Sequence, residues 1–278
     1  MENKTRNILV PWDFTDKSEF AYAHAVNYSK ITGNPIKILH VVKTEREIEP
    51  MKVKLDEVAQ QLTDQSNVNT SAEVIKGNIF KSISTYASQG HTEIVMMGTH
   101  GMKGFQRFTG SWALKVIRGS KVPFLVVQDM PTTDKYKKIV FPIDFKTESI
   151  DKIKWGHYIC GLYHSQLYII HPVLKDRVFK KKIYSNVMYT KKYFDNTDIL
   201  YEIHPIKESK EFAIGAIEFS KQMDADLIII TVSRTITLAD YLMGPSEQLF
   251  IANEAKIPVM VVNPKPKMLS GGFSATGT

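Results

Sequence analysis

The chain has 278 residues, of which 43% are hydrophobic and 23% charged, a formal net charge of +7 and one cysteine. Such a composition is that of a globular chain long enough for two domains. It contains no run of about 18 apolar residues to span a bilayer, its polar start lacks the apolar core of a secretory signal, and a lone thiol excludes an internal disulfide, so a cytoplasmic location and no membrane partner are expected.

The elements alternate from the start. Ile8–Val10 is a short apolar run of buried-strand type. Thr15 stands where a helix cap belongs, before a helix carrying Ala21, Ala25 and Tyr28 on one face and ending at Gly33. Ile36–Val42 is a second strand, followed by a helical face of Met51, Leu55, Val58 and Leu62. Ser71–Gly77 is a third strand, and Asn78 caps a helix bearing Ile79, Ile83 and Tyr86. Ile94–Met97 is a fourth strand, Ser111–Ile117 a helix and Phe124–Val127 a fifth strand. Continuous apolar strands between amphipathic helices specify a parallel sheet covered on both faces.

The pattern then repeats at an offset of 131 residues that drifts to 135 by the last strand. Pro11, Asp13, Phe14 and His40 align with Pro142, Asp144, Phe145 and His171, and "VPFLVV" at Val122–Val127 aligns with "IPVMVV" at Ile257–Val262. Two domains are expected, at residues 1–130 and 136–264, with a small polar tail at 265–278.

In doubly wound sheets, ligands sit beyond the carboxyl ends of the strands. There stand Pro11 and Asp13 after the first strand, His40 and Val41 at the end of the second, and "GTHGMKGFQRFTGS", Gly98–Ser111, after the fourth. Asp13 suits either a ribose hydroxyl or a helix cap. Gly98 and Gly101 allow a tight turn and close backbone approach to an anion. Gly110–Ser111 precedes a helix whose free N–H groups can hold phosphate. The competing reading is a glycine-bearing loop with a serine cap. Neither a Walker A loop nor G-x-G-x-x-G occurs. His40 and His171 have no Cys pairs or H-E-x-x-H beside them, so no metal is expected. Cys160 reads as a core thiol, and no catalytic Ser-His-Asp or Cys-His pattern is evident. Lys175–Lys192 holds seven Lys/Arg against one acid, Asp176. Without any nucleic-acid-binding signature this reads as a solvated helix face, and nucleic acid is not an expected partner.

"ILVPWDFTDKS", "ILHVV", "EIVMMGTHG", "GS" and "VPFLVV", in that order, resemble a universal stress protein domain, and the second half resembles a degenerate second copy. The resemblance implies two tandem doubly wound five-stranded parallel-sheet domains of adenine nucleotide alpha-hydrolase-like type. They would form an internal pseudo-dimer across their last strands, with a homodimer of the tandem chain left open. It implies ATP in the first domain, with Asp13, beside Pro11, at the nucleoside, Val41 at the adenine, and Gly98, Gly101, Gly110 and Ser111 at the phosphates. The family pattern G-x2-G-x9-G-[ST] is departed from here: eight residues separate Gly101 from Gly110. In the second half Thr231 and Arg234 replace the first two glycines, and Pro245 follows Gly244, so no ATP is expected there. The resemblance implies a stress-response or regulatory protein acting through an unidentified protein partner, with at most slow ATP hydrolysis. The alternative is an interaction scaffold that binds no nucleotide.

Overall fold

The computed structural model describes residues 6–99, 110–207, 211–232 and 246–264. Gly101, Arg234, Gly244, Pro245 and the 265–278 segment fall outside them.

The first half runs β1 (Asn7–Pro11), α1 (Asp16–Thr32), β2 (Ile36–Val42), α2 (Ile48–Ser66), β3 (Thr70–Lys76), α3 (Ile79–Ala87), β4 (Thr92–Gly98), α4 (Gly110–Ile117) and β5 (Phe124–Val127). The second runs β6 (Lys138–Pro142), α5 (Ile153–Tyr163), β7 (Gln166–Pro172), α6 (Arg177–Phe194), β8 (Tyr201–Ile206), α7 (Phe212–Gln222), β9 (Leu227–Thr231), α8 (Ser246–Ile251) and β10 (Val259–Val262). Every strand read from the apolar runs is present. Gly33 ends α1 in the left-handed region at φ 74°, and Asn78 caps α3 by accepting from the Phe80 amide. Thr15 does occupy the cap position of α1, but its side chain makes no cap hydrogen bond.

All ten strands form one sheet in the order β3-β2-β1-β4-β5-β10-β9-β6-β7-β8. Within each half neighbouring strands are parallel. β5 and β10 alone among the paired strands run antiparallel, with Val126 opposite Val259 and Phe124 opposite Val261. The halves are therefore two copies of one doubly wound unit joined edge to edge, the internal pseudo-dimer expected. α1, α2, α5 and α6 cover one face and α3, α4, α7 and α8 the other, each face holding one core continuous across the seam.

Polar clasps secure the seam. The buried Gln128 amide donates to the carbonyls of Ile251 and Asn253 (3.3 and 2.9 Å), and Asn263 Nδ2 donates to the Ile117 carbonyl (2.7 Å). Glu93 on β4 accepts hydrogen bonds from Tyr28, from Asn34 Nδ2 and, across the halves, from Tyr158 (2.9 Å). The strand order reverses between β1 and β4 in the first half and between β6 and β9 in the second, and those switch points are where a ligand crevice belongs.

Candidate functional site

The turn from β1 into α1 is organised by Asp13. Its Oδ1 accepts from the Thr15 amide (3.0 Å), the Thr15 hydroxyl (2.6 Å) and the Ser18 hydroxyl (2.7 Å), while Ser18 Oγ accepts from the Asp13 amide (2.9 Å). The first turn of α1 is thus held by an aspartate two residues before the cap. One carboxylate oxygen, Oδ1, thus holds the turn, while Oδ2 makes no hydrogen bond among the described residues. The chain reverses at Phe14, whose φ of 62° is rare for a residue with a side chain. Its ring packs on His40 (5.3 Å between centroids) and lies under the Lys54 ammonium (4.2 Å). His40 Nδ1 lies 2.7 Å from the Trp12 carbonyl and donates to it.

A crevice opens where this turn faces the ends of β2 and β4. Pro11, Asp13, Val41 and Gly98 all line it, over an apolar floor of Leu39, Ile83 and Met97. Residues from three strand ends far apart in sequence are thus brought together as the fold required. Gly110 and Ser111 open α4, on the same sheet face as that floor.

Lys17, Ile79 and Ile83 also line the crevice, and none of them was read as a site residue from sequence. The two isoleucines lie four apart on α3, a spacing that marks a helix face but does not say that the face ends in a crevice. Lys17 is half-buried, and its ammonium donates to the Gln128 carbonyl (2.8 Å). Gly98 has a reason beyond anion approach. A Cβ placed on it would fall 2.1 Å from the Lys17 carbonyl oxygen, so the first turn of α1 crosses β4 with no room for a side chain.

The second half builds the same framework with different contacts. β9 ends in Thr231, paired with Val262 as Gly98 is with Val127. The segment that follows β6 also differs: residues 147–150 form a 3-10 turn, and α5 starts only at Ile153. Asp144 repeats part of the turn, accepting from the Lys146 amide (2.8 Å), with Ser149 Oγ receiving its own amide (3.1 Å). Phe145 does not take the left-handed turn and stacks instead on Phe179 of α6 (4.5 Å). Asn186, also on α6, donates to the carbonyls of Asp144 and Lys146 (2.8 and 2.9 Å). Beneath them lies Lys152, only 2% exposed, donating to the Pro142 carbonyl with Phe141 against its ammonium (4.6 Å). Burial pushes Lys152 down to about 7 against the pull of Asp144, and burial raises Asp144 despite its hydrogen bonds and the nearby lysines. Asp144 therefore holds its turn through the Lys146 amide and also lies within electrostatic reach of a buried lysine that the repeat alignment did not suggest.

His171 Nδ1 meets only the Pro172 carbonyl (3.3 Å), and among the described residues no cluster of three His, Cys, Asp or Glu could hold a metal. Cys160 is fully buried and its thiol is pushed up to about 12 by burial.

Residues 4–128 match the model of the universal stress protein family. A curated universal stress protein of Methanocaldococcus jannaschii is 27% identical over 143 residues, covering 46% of this chain and 84% of the relative. Two solved structures span both halves. A universal stress protein from Archaeoglobus fulgidus matches with TM-score 0.73 and 18% identity, over 94% of this chain and 99% of its own. A functionally unknown protein from Pseudomonas aeruginosa matches with TM-score 0.66 and 16% identity, over 94% and 93%. At these identities the structural likeness speaks for the fold.

Two outcomes follow from the contrast between the halves. Gly98→Ala should destabilise the protein by about 1–3 kcal/mol in urea denaturation, because backbone has to move; Thr231→Ala should have a smaller effect. Folded Lys152 releases its proton near pH 7, whereas the unfolded side chain keeps its own to about 10.5. The unfolded state therefore binds more protons in that window, and this group makes stability rise with pH by up to about 1.4 kcal/mol per unit. Denaturation of wild type and Lys152→Met across the window should show that increment in the wild type alone, and equal slopes would contradict it.

Proposed function

We propose that this chain, whose N-terminal domain belongs to the universal stress protein family, is a stress-response regulatory protein that binds an adenine nucleotide, ATP, in that domain. The two domains are taken as residues 1–130 and 136–264. The observation that carries the reading is the crevice at the β1–β4 switch point, where Asp13, whose Oδ2 makes no hydrogen bond among the described residues, stands beside Pro11, Val41 and Gly98. In this reading Asp13 accepts from the ribose hydroxyls and the adenine lies by Val41 over the apolar floor. The phosphates run toward Gly101 and the first turn of α4 at Gly110 and Ser111, where free helix N–H groups favour an anion. Lys17 supplies a positive charge at the rim. No residue of the crevice is assigned a nucleophilic or acid–base role, so at most slow hydrolysis is expected, with signalling through conformation and a protein partner.

The second domain is proposed to bind no nucleotide, since Lys152, Asn186 and Thr231 occupy or brace the equivalent region. A scaffold that binds no nucleotide in either half is the competing reading, favoured by the shortened loop between Gly101 and Gly110.

Thermal unfolding with ATP, ADP and AMP separates the two. Saturation at about 100 times Kd adds about 2.7 kcal/mol of stability, so wild type should melt higher in millimolar ATP. Asp13→Asn keeps Oδ1 as the acceptor for Thr15 and Ser18 but loses the anionic Oδ2, so it should fold and lose the shift. Asp144→Asn should retain the shift. A wild type that neither shifts with ATP nor carries nucleotide through purification would contradict nucleotide binding.

A further inference from the structure

α2 and α6 hold equivalent places. Each connects the second and third strands of its half and covers the same sheet face. Packing and solvation therefore ask the same of both, yet their outer surfaces differ. α2 carries four acids and two lysines. α6 carries Arg177, three consecutive lysines at 180–182, Lys191 and Lys192, and no carboxylate. Only Lys191 has an ion pair among the described residues, to Asp195 (2.7 Å). A solvated helix face accounts for α2 and leaves the charge of α6 unexplained.

The apolar side chains deepen the contrast. α6 buries Ile183, Val187, Thr190 and Phe194 against the sheet. On its outer side Val178 is 62% exposed, Tyr184 67%, Met188 41% and Tyr189 57%, whereas the one strongly exposed large apolar residue of α2 is Val53. At 100° per residue, Lys181, Ser185, Met188 and Lys192 form the crest, with Val178 and Tyr189 beside them. The helix is about 27 Å long and lies against the last two strands at the far end of the sheet, away from the β1–β4 crevice.

We propose that the outer face of α6 is a docking surface for an anionic phospholipid bilayer, bound peripherally. Its lysines and arginine meet the headgroup phosphates. Val178 and Met188 reach the acyl boundary, and Tyr184 and Tyr189 sit at headgroup depth with their hydroxyls wet. No described helix is long and apolar enough to cross a membrane, so the contact stays at the surface. A second copy of the chain would set cations against cations. Nucleic acid would satisfy the charges, but Val178 and Met188 offer it neither stacking nor hydrogen bonds.

The test is flotation of the full chain with vesicles of phosphatidylcholine alone and with about 30% phosphatidylserine, at low and high salt. Partitioning should be at least about tenfold stronger on the anionic vesicles and should fall with salt. Lys181→Glu/Lys182→Glu should abolish it, Val178→Ser/Met188→Ser should weaken it with charge unchanged, and Lys52→Glu on α2 should leave it intact, all at unchanged melting temperature. Equal binding to neutral vesicles, no binding to either, insensitivity to the α6 substitutions, or binding of single-stranded RNA without vesicle binding would overturn the proposal.

Discussion

The antiparallel pairing of β5 with β10 is the contact on which the rest of the structure depends. Both strands are four residues long and buried along their whole length. Separated, the halves would each expose an apolar edge strand with an unpaired row of backbone donors and acceptors, a surface prone to aggregation. Joined, they merge two small cores into one on each face of the sheet. The antiparallel sense has a geometric consequence: the carboxyl edges of the two halves open on opposite edges of the sheet. The rim of the first crevice lies against the second half at the amino edge of β10. There Lys17 holds the Gln128 carbonyl while the Gln128 amide holds Ile251 and Asn253.

Duplication released one copy from the constraint that shapes the other. In the first half α1 starts early and crosses β4 at Gly98, Asp13 holds its first turn, and the crevice stays open. In the second half the same aspartate and serine persist, but the helix starts later and Thr231 fills the glycine position. Lys152 and Asn186 brace the strand ends from within. Asp144 shows that sharing a residue is not sharing its surroundings: its carboxylate interacts with a buried lysine, whereas Asp13 lines a crevice with one oxygen that makes no hydrogen bond among the described residues.

Much of this was legible in the sequence. The strands were, because continuous runs such as Phe124–Val127 admit little else, and the duplication was, because Pro, Asp and Phe recur at a fixed offset. Asp13, Val41 and Gly98 could be placed together because a doubly wound fold gathers its strand ends. What sequence did not show were distances across the fold. Thr15 looked like the cap, yet the acceptor is Asp13. Gly98 read as room for an anion, while the structure adds the Lys17 carbonyl as a second reason. Lys152 stands where the first half has Ala21, and nothing in its local pattern distinguishes a buried lysine from an exposed one.

The asymmetry between the two halves is the centre of this account, and calorimetric titration of the intact chain with ATP tests it most directly. One nucleotide bound per chain is predicted. Two per chain, or one that persists in Asp13→Asn and disappears in Asp144→Asn, would contradict it.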